Sequence, residues 1–170
     1  MGLHGMFVLK YKQVQRYHTD MLLLHWRSLL IGLAVATLTW PARAEMESCV
    51  KQAAQRYQVD ERLIHAIIQV ESSGNPAALN RNANGSEDIG VMQINSSWLP
   101  VLGRYGIHRH HLDDPCTNVH VGVWVLAGNI ARYGHTWRAV GAYNAKSHTQ
   151  RERYVAQVWR RYRTSGKSES

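Results

Sequence analysis

The chain has 170 residues, 45% of them hydrophobic, and its 20 Lys and Arg outweigh its 12 Asp and Glu to give a formal charge of +8. That length allows one domain. The positive charge is a poor fit to nucleic acid, because the arginine cluster is confined to one C-terminal helix of a chain that carries an export signal.

Leu29 to Trp40 is an apolar segment too short for a membrane span. Arg27 precedes it, and Ala42-Arg43-Ala44 follows as a small-x-small cleavage signal before Glu45. Residues 1–44 therefore read as a secretory signal-peptide region. The polar leader from Met1 to Asp20 makes Met21 the expected true start. A retained N-terminal anchor helix is the rival reading, disfavoured by Pro41 and the alanine-x-alanine pattern. Cleavage after Ala44 leaves 126 of the 170 residues, enough for one modest core. It removes five basic side chains (Lys10, Lys12, Arg16, Arg27 and Arg43) and one acid, Asp20, so the net charge falls to +4. A basic exported protein suits an anionic partner such as cell wall or a membrane surface. Cys49 and Cys116 both lie in the exported part, and an even pair there reads as one disulfide. Closing that loop contributes roughly 3–5 kcal/mol. Lipidation at Cys49 is the weaker reading, since Glu47 and Ser48 are not small and apolar.

A first helix is expected from about Ser48 to Tyr57, with Cys49, Val50, Ala53, Ala54 and Tyr57 inward. Asp60 is the expected N-cap of a second helix that ends at Gly74-Asn75-Pro76. Asn80 to Ser86 is turn-rich and reads as a small hairpin or an ordered loop. Gly90 to Asn95 alternates apolar and polar residues, as a strand or as the lead-in to a helix. Trp98 to Leu102 is a short helix. Asp113-Asp114-Pro115-Cys116 opens a longer one, with Val119, Gly122, Val123, Leu126, Ala127, Ile130 and Tyr133 at helical spacing and Gly134 as its stop. Trp137 to Tyr143 and Gln150 to Arg163 complete the set, the last with Val155, Val158, Trp159 and Tyr162 inward. A domain over residues 45–163 and a disordered tail over 164–170 follow. The fold class is mainly α, a compact helical domain with at most a small β-hairpin.

The second helix carries the chemistry. Ile64, Ile67 and Ile68 lie seven, four and three residues before Glu71, so helical spacing puts this carboxyl on their apolar face. An ionised carboxyl there is poorly solvated, which raises its pKa. It then holds a proton near neutral pH for delivery to a leaving group.

Three segments, Val70-Glu71-Ser72-Ser73-Gly74, Gly90-Val91-Met92-Gln93-Ile94-Asn95 and Gly141-Ala142-Tyr143-Asn144-Ala145, stand in an order and spacing that covers most of the exported part. Together they resemble the soluble lytic transglycosylase (SLT) domain. The likeness is nearest to the small exported subfamily that accompanies type III and type IV secretion, conjugation and type IV pili. The resemblance implies a lysozyme-like fold and a monomer in the periplasm of a Gram-negative bacterium, with no membrane span after signal cleavage. It also implies cleavage of the β-1,4 bond between N-acetylmuramic acid and N-acetylglucosamine in peptidoglycan. Glu71 is then the general acid, and afterwards the base that lets the sugar's own C6 hydroxyl attack C1, leaving a 1,6-anhydro end. Ser72, Met92, Gln93, Asn95, Tyr143 and Asn144 are the implied substrate-binding set, with Tyr143 hydrogen-bonded to Glu71. The family carries glycine after the Asn-Ala pair, whereas this chain has Lys146.

Asp88 complicates that assignment. The run Gly85 to Asn95 also resembles animal (c-type) lysozymes, which place a second carboxylate at this position, and a hydrolase normally adds such a second carboxylate as base or nucleophile. Three functions therefore compete: anhydro-forming cleavage by Glu71 alone, hydrolysis by Glu71 with Asp88, and glycan binding without catalysis as part of a secretion, conjugation or pilus apparatus. Asp88 stabilises positive charge in the transition state in either catalytic case. His108, His110 and His111 lack an acid or thiolate at metal-ligand spacing, so no metal is expected, and no pattern calls for a cofactor. Arg151, Arg153, Arg160, Arg161 and Arg163 read as a solvated face, or as an attraction to anionic wall or membrane.

Overall fold

The computed structural model describes residues 44–144 and 147–165; the expected signal peptide up to Arg43, Ala145, Lys146 and residues 166–170 lie outside the described residues. Helix α1 covers 44–57 and buries Cys49, Val50, Ala53 and Ala54. Asp60 then caps α2 (Glu61–Glu71), its Oδ1 accepting from the backbone N–H of Arg62 at 2.9 Å. Ile64, Ile67 and Ile68 are 0%, 0% and 3% exposed. Each buried isoleucine contributes about 1.5–3 kcal/mol, so this stripe fixes the helix against the core, and with it the position of Glu71.

The polar segment is a sheet. β1 (Leu79–Arg81) and β2 (Glu87–Ile89) form an antiparallel hairpin, and β3 (Ile94–Asn95) adds a third short strand. The register places Asn80 opposite Asp88 and Asp88 opposite Asn95, one row across all three strands. A 3-10 turn over Ser96–Trp98 runs into α3 (Leu99–Leu102).

Helix α4 (Pro115–Tyr133) is the central element. Asp114 caps it through the N–H of Thr117 at 2.8 Å, and Pro115 occupies the first turn, where its missing N–H costs nothing. Val119, Val123 and Leu126 are fully buried. Gly122 admits Met92 to the helix surface, because a Cβ there would collide with the methionine Sδ. The Cys49–Cys116 disulfide joins α1 to the first turn of α4 across 67 residues of sequence. α5 (Trp137–Asn144) and α6 (His148–Ser165) close the core, α6 against both α2 and α5.

Two expectations for α6 change. The helix continues through Thr164 and Ser165, into the segment expected to be disordered. Its inner stripe is Tyr154 (5% exposed) and Val158 (0%), whereas Trp159 is 41% exposed. The Trp159 ring packs at the surface on Trp137, at 5.0 Å between centroids, and on Tyr162, at 6.1 Å. Among the described residues no helix is long and apolar enough to cross a membrane.

Candidate active site

A cleft of about 1120 Å³ opens between the hairpin and the helices. Glu71, from the last turn of α2, lies in its lining with Asp88, Gln93, Asn95, Tyr143, Asn144 and Tyr154. The three sequence segments, far apart along the chain, meet here.

Glu71 is half-buried. Burial pushes its pKa from 4.5 up to about 7, the nearby charge of Asp88 adds to the rise, and hydrogen bonds from Tyr154 and Asn144 act against it. Tyr154 OH donates to Oε1 at 2.6 Å, and Asn144 Nδ2 donates to the same oxygen at 3.4 Å. Burial raises the pKa of Tyr154 well above 10, helped by the charge of Glu71, so the phenol keeps its proton and stays a donor.

The tyrosine on Glu71 is therefore Tyr154, not the Tyr143 expected. Tyr143 OH donates instead to the Met92 carbonyl at 2.9 Å. A signal for Tyr154 was present: Tyr154, Val158 and Tyr162 are spaced four apart, which sets them on one face of α6. Tyr162 OH reaches the Asp60 carboxylate at the start of α2 (2.7 Å), while Tyr154 OH reaches Glu71 at its end. The two phenols pin both termini of α2 to α6. Tyr154→Phe is expected to move the alkaline limb of the pH–rate profile to higher pH, because a donor that favours the carboxylate is gone. Turnover is expected to fall about tenfold as the carboxyl loses its orientation; an unchanged profile would show that the contact is inert.

Gly90 to Gln93 is a tight turn rather than a strand or helix lead-in, with Gln93 N–H donating to Gly90 O at 3.1 Å and only Ile94 and Asn95 in a strand. Gly90 has φ +75°, and a Cβ there would strike the Asn118 side chain. Gln93 holds φ 49°, a strained conformation for a non-glycine residue. The turn is held from every side. Ser72 Oγ donates to Val91 O (2.8 Å), Asn118 Oδ1 accepts from Met92 N–H (2.9 Å), and Asn118 Nδ2 donates to Ile89 O (2.8 Å) and Leu112 O (2.9 Å). Asn118 is fully buried; it falls within the apolar stripe of α4, where an isolated polar residue is the only sequence signal.

These contacts revise the expected substrate-binding set. Met92 is 0% exposed and belongs to the core beneath the cleft, because its backbone is drawn inward at both N–H and carbonyl. Ser72 braces the turn and is not in the cleft lining. Gln93 lines the cleft while its Nε2 donates to Ala78 O and Gly90 O. Asn95 Nδ2 donates to Asp88 Oδ1 at 2.7 Å, and its Oδ1 accepts from Ser97 N–H at 3.0 Å. Asp88 Oδ2 accepts from Asn80 (3.2 Å) and Asn82 (2.9 Å). Asp88 is thus fixed by the amides of Asn80, Asn82 and Asn95 and lines the same cleft as Glu71. Asn129 Nδ2, buried in the cleft wall, has no hydrogen-bond partner among the described residues.

The histidines lie elsewhere, His108, His110 and His111 packing with ring centroids 3.9–6.1 Å apart. Among the described residues no group of three or more His, Cys, Asp or Glu is placed to hold a metal.

Residues 48–162 match the family model described as the transglycosylase SLT domain. The chain belongs to the SLT transglycosylase family. Its relatives include invasion protein IagB of Salmonella typhimurium, 41% identical over 120 residues, covering 68% of this chain and 75% of IagB. Protein IpgF of Shigella flexneri is 39% identical over 119 residues, covering 67% and 78%. Among solved structures, an inactive mutant of the lytic transglycosylase Slt from Pseudomonas aeruginosa superposes with a TM-score of 0.60 at 20% identity, over 71% of this chain and 24% of that one. The matched part is 24% of that chain, and the likeness shows the fold alone. The disulfide and the mainly helical architecture with a small sheet agree with the expected fold class.

Proposed function

We propose that the protein is a peptidoglycan lytic transglycosylase in which Glu71 performs both proton transfers. The observation that carries this reading is a carboxyl with a pKa of about 7, lodged in an open cleft and oriented by a buried phenol. Both described donors go to Oε1, which leaves Oε2 to carry the proton. Glu71 gives that proton to the bridging oxygen as the C1–O bond breaks, and N-acetylglucosamine departs as an alcohol. The resulting carboxylate takes the proton from the muramic C6 hydroxyl as its oxygen bonds to C1. The ring closes to the 1,6-anhydro sugar, Glu71 is again protonated, and no water is consumed. Asp88 stabilises the oxocarbenium-like charge that develops at C1. The unpartnered Asn129 amide suits a sugar carbonyl or hydroxyl.

Hydrolysis by two carboxylates is the second reading, favoured by Asp88 lying in the same cleft. Mass spectrometry of muropeptides released by the purified protein separates the two. Anhydro ends are expected, and reducing ends would transfer the assignment to a muramidase. Asp88→Asn is expected to lower turnover about tenfold without abolishing it, since electrostatic stabilisation is reduced while the proton donor remains; complete loss of release would favour the hydrolytic pair.

The disulfide suits an oxidising compartment. With the signal-peptide pattern it supports action in the periplasm, opening local gaps in the wall for a secretion, conjugation or pilus apparatus. Similarity to a protein named for invasion is compatible with that role.

A further inference from the structure

A second concavity, of about 190 Å³, lies between the starts of α2 and α5 and the ends of α4 and α6. It shares no lining residue with the cleft. Asp60, in its lining, caps the helix that Glu71 ends, so the length of α2 sets the two sites roughly 15 Å apart. Leu63, Ile130 and Val140 make part of the lining apolar, and Trp137 and Tyr162 add rings. Trp137 is 37% exposed, and Trp159, packed on it edge to face, is 41% exposed. Among the described residues only Leu79 and Tyr105 are large hydrophobic side chains left as open. Two open indoles in contact form an apolar patch, the usual mark of a binding surface.

The charges say what that surface takes. Asp60 is the only acid in the lining, and it is already engaged, accepting from Tyr162 OH at 2.7 Å and pairing with Arg62 at 3.2 Å. Thr136 Oγ1 donates to Tyr133 O at 3.1 Å and keeps lone pairs to accept, and the exposed His135 adds a second polar group. The lining suits a ligand that is uncharged, partly apolar and rich in hydrogen-bonding groups. An N-acetylglucosamine unit has those properties: its C–H faces pack on aromatic rings, its acetamido methyl is apolar, and its hydroxyls reach the polar groups. Muramic acid bears a lactyl carboxylate, which would meet Asp60 as a like charge. The position fits as well. Arg132 and Tyr133 line the cleft, His135, Thr136 and Trp137 line the second cavity, and Gly134, at φ 73°, is the turn between them.

We propose that Thr136, Trp137, Trp159 and Tyr162 form a second saccharide site, which holds an uncut N-acetylglucosamine unit of the wall glycan while the cleft acts elsewhere on the polymer. The inference rests on wall glycan being the polymer this protein acts on.

The test uses the purified protein carrying Glu71→Gln and follows its indole Nε1–H signals by NMR, each assigned by single substitution to Phe. A soluble tetramer of N-acetylglucosamine is expected to shift the Trp137 and Trp159 signals. A glucose tetramer is expected to bind there about tenfold more weakly, because it lacks the acetamido methyl and amide. Raising salt from about 50 to about 500 mM is expected to leave the midpoint unchanged, since no charges are matched. Trp98 lines the cleft, so its signal reports that site independently. Adding Trp159→Ala is expected to weaken cosedimentation with purified wall sacculi about tenfold, at an unchanged melting temperature. Trp137 and Trp159 signals that stay still, whether or not Trp98 moves, would overturn the second site. So would an equal response to the glucose tetramer, or sacculus binding untouched by Trp159→Ala. A response of both indoles to phosphatidylglycerol vesicles in place of the sugar would overturn it in favour of a membrane surface. Cleavage is judged separately, by the products of the unsubstituted protein. Sugar at Trp137 without cleavage would sink the catalytic reading and leave the second site standing; cleavage with both indoles silent would do the reverse.

Discussion

Glu71→Gln is expected to eliminate glycan cleavage while leaving the fold intact. The amide keeps the shape of the side chain and an oxygen to accept from Tyr154, but it has no acidic proton to give and cannot take one from the C6 hydroxyl. General acid or base assistance contributes about 10²–10⁴ in rate. Because one group performs both transfers in the proposed mechanism, the expected loss is at the upper end, about 10⁴-fold. The same substitution has a stability signature. Glu71 has a folded pKa of about 7 against an ordinary 4.5. Below pH 4.5 the carboxyl is protonated in both folded and unfolded chains and burdens neither. As pH rises from there to 7, the unfolded chain releases the proton first, so folding loses up to about 3 kcal/mol. Glutamine does not ionise. Thermal melts are therefore expected to show Glu71→Gln more stable than the unsubstituted protein at pH 8 and level with it at pH 4. Undiminished release of wall fragments by the variant would defeat the assignment.

Asn118→Ala carries the largest expected loss of stability. The side chain satisfies three buried backbone groups, the N–H of Met92 and the carbonyls of Ile89 and Leu112. Alanine leaves all three without partners in a site with no exposure, at about 1–3 kcal/mol each before relaxation. A loss of about 4 kcal/mol is expected in denaturant unfolding. Activity should fall as well, because the released turn includes Gln93 and supports the strand that bears Asn95, the partner of Asp88. A loss below about 1 kcal/mol would mean that water replaces the asparagine and that the turn is held by Ser72 and Tyr143.

Much of the scaffold was legible because it follows from local periodicity and caps. The isoleucine stripe of α2 placed Glu71 against apolar neighbours, Asp60 and Asp114 marked helix starts, and Gly134 marked a helix end. The candidate site was legible in the burial of Glu71 against its apolar neighbours, but not in its wiring. Gly90 to Gln93 alternates like a strand, yet two left-handed backbones bend it into a turn, and nothing in a hydrophobic pattern reports a positive φ. Tyr143 sits in the right motif and bonds the wrong group for the role expected of it, because Tyr154 reaches Glu71 first from another helix. That contact joins residues 83 apart. It becomes visible only when α6 is laid along α2, so that one tyrosine meets Asp60 and the other meets Glu71.

The account depends on a proton held at one carboxyl by its burial. Carbon-13 NMR of the Glu71 carboxyl, assigned by comparison with Glu71→Gln and followed from pH 3 to 9, measures that directly. A midpoint near pH 7 is expected. A midpoint at or below the ordinary 4.5 would show the group ionised at neutral pH, and it would contradict Glu71 as the acid that starts the reaction.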